Sequence, residues 1–139
     1  MKVWTRFAFV LLFVPVVASA QFRDLDTAMS NLERGFGSGD VDAIVSGISR
    51  GEQVMLQFPG LTEQSGFFGR DQAAYLLDGL FNKVKPSGFE RVNVRGARAE
   101  AQYHITAKWS IAGGSRDLYI TLKQTDGKWA VVSVRSAGN

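Results

Sequence analysis

Apolar positions along the chain follow one period and then another. Leu25, Met29, Leu32 and Phe36 recur at intervals of four, three and four, which is one face of a helix opening near Phe22. The stretch "GFGSGD" stops that stripe with glycines suited to a left-handed C-cap. Asp40 stands where it can cap a second, shorter helix, "VDAIVSGIS", with Asp42 in its first turn. In "EQVMLQF", Val54, Leu56 and Phe58 alternate with Gln53, Met55 and Gln57, a strand pattern closed by Pro59-Gly60. A second helical stripe follows: Ala73, Leu76, Leu77, Leu80, Phe81 and Val84, with Gly69 as N-cap, Asp71 in the first turn and Pro86-Ser87-Gly88 as the stop.

Beyond Gly88 the period drops to two. "FERVNVR" sets Val92 and Val94 against Arg91, Asn93 and Arg95. "AQYHITAKWSI" sets Tyr103, Ile105, Ala107, Trp109 and Ile111 against Gln102, His104, Thr106, Lys108 and Ser110. "RDLYITLK" sets Leu118, Ile120 and Leu122 against Tyr119, Thr121 and Lys123; "TDGK" then reads as a hairpin turn into "WAVVSVR". Three N-terminal helices followed by antiparallel strands with one apolar face each describe an α+β layer fold, the helices covering the apolar side of a curved meander.

Composition changes the picture at the N-terminus. Lys2 and Arg6 precede the apolar run "FAFVLLFVPVV", and Ala18-Ser19-Ala20 supplies small residues before Gln21, the layout of an export signal. The run falls short of the roughly 20 residues that span a bilayer, which argues against a stable membrane anchor. Residues 1–20 are therefore expected to be a signal peptide and residues 21–139 a single domain, periplasmic or secreted after cleavage between Ala20 and Gln21. The sequence contains no cysteine, which excludes lipoprotein processing, disulfides and a thiol nucleophile. The formal charge of +3 includes two bases of the leader, so the mature chain is close to neutral. Its halves differ in sign: residues 21–80 hold nine acids against four arginines, and residues 81–139 hold ten bases against four acids.

The ordered set "GFGSGDVDAIVSGI", "GFFGRDQAAYLLDGLF" and "LYITLKQTDGKWAVVSV" resembles the nuclear transport factor 2-like superfamily, and within it a family of small exported bacterial proteins of unknown function. The resemblance spans residues 27–136. It implies a cone: three helices against a strongly bent antiparallel sheet, a cystatin-like α+β barrel. In that fold Gly66–Gly69 is the corner between a short strand and the third helix, where Phe67 or Phe68 can plug the core. The resemblance also implies where chemistry would sit, since enzymes of the superfamily work inside the cone with a carboxylate or histidine base.

Strand parity tests that possibility. The inward set is Val92, Val94, Tyr103, Ile105, Trp109, Leu118, Ile120 and Leu122, with Tyr75 at a helix edge. Proton transfer requires an ionisable group in such a pocket, and parity places none there. The one histidine, His104, falls on the polar side. Tyr75, Tyr103 and Trp109 could hold a small apolar ligand through their polar tips, or meet backbone groups in a closed core. The outward side collects Arg91, Arg95, His104, Lys108, Tyr119 and Lys123, a surface for homodimer pairing or for an anionic partner. Bases repelling one another there would make such a dimer favour moderate salt. No metal site, cofactor motif or catalytic triad is legible, and export argues against a nucleic-acid partner. The function expected is a non-catalytic exported domain binding a partner protein or small apolar ligand as a homodimer. The alternative is a cone-pocket enzyme of isomerase or dehydratase type.

Overall fold

A computed structural model describes residues 25–97, 101–125 and 127–138. The expected leader, and Asp126 of the expected hairpin turn, lie outside these residues. Helix α1 covers residues 25–38, and its carbonyl at Gly35 accepts the Gly39 N–H at 2.9 Å. Gly39 takes φ +80°, the left-handed C-cap that the glycine cluster makes available. Helix α2 (Val41–Val45) starts at Asp40, whose carboxylate accepts the Ala43 N–H at 3.3 Å. Gly35 permits the tight α1–α2 crossing, because a Cβ there would overlap the Ile44 side chain.

Strands β1 (Val54–Gln57) and β2 (Gly66–Phe68) come next, and helix α3 (Arg70–Val84) follows Gly69. At the β2–α3 corner Phe68 packs against the core while Phe67 is 67% exposed. The corner reading therefore holds with Phe68 as the plug. Helix α3 buries Ala73, Leu77, Leu80, Phe81 and Val84, the stripe set out by its spacing. The meander consists of β3 (Gly88–Ala97), β4 (Gln102–Ile111), β5 (Gly114–Thr125) and β6 (Lys128–Ser136).

The six strands form one open sheet in the order β2-β1-β6-β5-β4-β3. It is mixed rather than wholly antiparallel: β1 runs parallel to β6, with Met55 opposite Ser133. An early strand joins the far edge of the meander here, and its connection through β2, α3, β3, β4 and β5 leaves the two pointing the same way. The register slips between Arg91 and Asn93 and again between Thr121 and Leu122. Such irregularities bend a strand and increase its twist, which curves the sheet around the helices. The core lies in that concavity, where Trp109, Phe36, Phe58, Leu118 and Leu122 are fully buried. Among the described residues, no helix is long and apolar enough to cross a membrane.

Candidate functional site

Two surfaces qualify as the working site: the inside of the cone and the outer face of its sheet. Inside, Trp109 occupies the centre. Its Nε1–H donates to the Phe36 carbonyl at 2.8 Å, and its ring meets Phe36, Phe58 and Phe81 at centroid distances of 5.6, 6.1 and 6.2 Å. Phe36 lies in the last turn of α1, where helix carbonyls lack intrahelical partners. The tryptophan tip thus completes a helix end and is not aimed at a ligand. Tyr103, half-buried near the sheet's other end, packs edge-on to Trp129 at 5.1 Å. It covers Gly96, where a Cβ would stand 2.5 Å from its ring. Among the described residues the one buried polar side chain is Ser136, whose Oγ has no hydrogen-bond partner.

Three residues fall elsewhere than parity places them. Tyr75 is 87% exposed on the outer side of α3, where it borders a shallow groove of about 300 Å³ with Leu61, Leu76 and Lys83. It does not line the cone, because the apolar stripe of α3 turns Leu76 and Leu77 inward and carries Tyr75 past the edge. Arg91 does not share the outer face. It lies opposite buried Ala107 and its Nε meets Glu33 Oε1 of α1 at 2.7 Å, so it belongs to the helix side. Val92, the residue left over at the β3 irregularity, is exposed, and Val94 is exposed as well despite lying opposite Ile105. One extra residue in β3 reverses alternation across it, which accounts for Arg91 and Val92; Val94 keeps the inward register opposite Ile105 and is exposed on the open edge strand of the sheet.

Arg91 and Arg116 therefore do reach the helix side, where parity expects no charge. Arg116 donates to the carbonyls of Pro59 at 2.9 Å and Ala137 at 3.3 Å, clamping the β1 exit to the end of β6. Guanidinium groups stay protonated at any ordinary pH and do not serve as proton-transfer bases.

The outer face gathers the remaining residues. His104 lies opposite Arg95 and Thr121, and its Nδ1 is 3.2 Å from Thr121 Oγ1. Thr106 lies opposite Tyr119, which lies opposite Arg135; that guanidinium sits 5.2 Å from the Tyr119 ring centre. Lys108 lies opposite Glu90 and Asp117, and Lys123 opposite Gln102. Across the parallel pair the face continues through Ser133 and Met55 to exposed Phe67. Parity thus assembles Arg95, His104, Lys108, Tyr119 and Lys123 correctly. It misses Arg135, Met55 and Phe67, whose place on this face depends on which strands become neighbours.

Known proteins match in family and fold. Residues 29–136 match the family described as Domain of unknown function (DUF4783). A crystal structure of a DUF4783 family protein from Bacteroides ovatus is 18% identical, covers 76% of this chain and 90% of its own, and has a TM-score of 0.66. One from Bacteroides uniformis is 13% identical, with coverages of 79% and 95% and a TM-score of 0.68. An NTF-2-like protein of unknown function from Shewanella oneidensis is 15% identical, with coverages of 85% and 98% and a TM-score of 0.62. No curated protein matches the chain by sequence.

Proposed function

The chain belongs to the DUF4783 family, with an α+β fold of the NTF2-like kind, and from that premise we propose that it is a non-catalytic exported binding domain. Its working surface is the outer sheet face, and its partner there is a second copy of itself. The observation that carries this reading is the contrast between the two surfaces. Around Trp109 the cone interior is packed by aromatic rings, and the indole N–H is consumed by the Phe36 carbonyl. A small apolar ligand at that point would have to displace side chains that are fully buried. A proton-transfer enzyme needs an ionisable group held in a dry pocket, and among the described residues no ionisable side chain is buried.

The outer face has the opposite character. Phe67 and Tyr119 stand exposed on it among Thr106, Thr121 and Ser133, a mixture of aromatic and short polar side chains that suits sheet-to-sheet contact. Export is supported by the basic, apolar and small-residue sequence of residues 1–20. The test is sedimentation equilibrium from micromolar to hundreds of micromolar, with Thr106→Arg placing a charge at the centre of the face. We expect a dimer for the wild type and a monomer of unchanged fold for the variant. A wild-type monomer throughout the range, or a variant that still dimerises normally, rejects the reading.

A further inference from the structure

Charge is graded along the strands of the outer face, and we infer from this gradient how two copies meet. A two-fold axis runs crosswise to the strands at the level of Thr106, so that Arg95 of each copy lies over Glu90 of the other. This inference rests on the outer-face pairing proposed above and adds its orientation. The register supplies the gradient. Toward the start of β4, Arg95 lies opposite His104 and Lys123 opposite Gln102. Toward its end, the acids Glu90 and Asp117 flank Lys108. Thr106 stands midway, two residues from His104 and two from Lys108.

Two faces in closed symmetric contact are related by a two-fold axis lying between them. An axis along β4 would set each end against itself, with Arg95 of one copy on the side of Lys123 of the other, base against base. An axis crosswise to the strands reverses their direction and sets the basic end of one copy over the acidic end of the other. It keeps each strand over its own counterpart. On β3 the level of His104 carries Arg95 and the level of Lys108 carries Glu90, so these two residues exchange places across the axis. Symmetry makes the pair twice. Facing sheets pack about 10 Å apart, a gap that arginine and glutamate side chains bridge together. Tyr119, opposite Thr106, lies at the level of the axis, where it meets its own copy. The positions of the acids also reverse the salt dependence drawn from bases alone: screening now weakens attraction between ends, so added salt loosens the dimer.

Arg95 and Glu90 are both exposed, which makes their reversal compatible with an intact fold. The experiment measures the dimer dissociation constant of the chain as isolated from cells, for wild type, Arg95→Glu, Glu90→Arg and the double variant, at low and moderate salt. Identical unfolding curves verify folding, and Arg95→Gln with Glu90→Gln serves as the milder pair if a reversal does not fold. Each single reversal is expected to weaken the dimer by about tenfold, since two symmetric ion pairs become two repulsions. The double variant should recover the wild-type value, and salt should weaken the wild type. If single reversals leave the constant unchanged, or the double variant is no better than either, the orientation is wrong while Thr106→Arg still judges the pairing. A wild type that stays monomeric, leaving the face to an anionic partner, overturns both.

Discussion

Replacing Trp109 separates the two things this residue does. Trp109→Ala removes the whole ring from contact with Phe36, Phe58 and Phe81 at a site with no solvent exposure. Large aromatic deletions in cores cost about 3–5 kcal/mol, the removed transfer energy plus the cavity left behind. Trp109→Phe keeps much of the ring volume but takes away the Nε1–H that reaches the Phe36 carbonyl at 2.8 Å. That carbonyl belongs to the last turn of α1, so it is left without a donor in a buried setting, at a cost of about 1–3 kcal/mol. Urea unfolding followed by far-UV circular dichroism measures both. With a slope of about 2 kcal/mol per molar, the alanine variant should lower the midpoint by about 2 M and the phenylalanine variant by about half that. An alanine variant that loses less than about 1.5 kcal/mol would refute the packed interior on which the non-catalytic reading depends. A phenylalanine variant as stable as wild type would remove the helix-end role but leave the packing intact.

Ser136→Ala should stabilise the chain by about 1 kcal/mol, because the hydroxyl is buried without a partner among the described residues and its removal ends an uncompensated desolvation; a loss of stability in thermal unfolding would contradict this. Gly35→Ala should destabilise by about 1–3 kcal/mol, since the added methyl meets Ile44 and forces α1 and α2 apart. A neutral result by urea titration would show that the helix crossing yields freely. Intact-mass analysis of the exported protein should find a chain beginning at Gln21, and retention of residues 1–20 on most molecules would reject the export reading.

Much of the fold was legible because its signals are local. Asp40 caps α2, Gly69 opens α3, and Leu32, Phe36, Leu77 and Leu80 are buried as their spacing requires. Each depends on residues within a turn or two, where periodicity and capping act directly. The β1–β6 pairing was not legible, because it joins Met55 to Ser133 across most of the chain and nothing in either strand specifies a parallel neighbour. The helix-side position of Arg91 was hidden for a different reason. Alternation assumes one residue per step, and "ERVNVR" contains no glycine or proline to mark where β3 gains an extra one.

The same extra residue decides what the candidate surface is. Unbroken alternation would give the outer face three bases from β3 and β4 ends, Arg91, Arg95 and Lys108, and a like-charged surface repels its own copy. With the irregularity, Arg91 turns to Glu33 beneath the sheet, and the outward residue at that end of β3 is Glu90, opposite Lys108. Asp117 faces Lys108 from the other side, so the base at this end is bracketed by acids. A face that unbroken alternation makes basic is thereby bipolar along its strands. A bipolar face complements itself only when turned end for end. On the proposed pairing, its end-for-end sense would trace to the extra residue at Val92. Deleting Val92 leaves Arg91 opposite Ala107 and Glu90 opposite Lys108 with one residue per step, so the bipolar face, and with it the dimer, should survive the deletion. Sedimentation of a folded Val92 deletion variant checks this: a dimer much weaker than wild type would show that the charge gradient alone does not set the pairing.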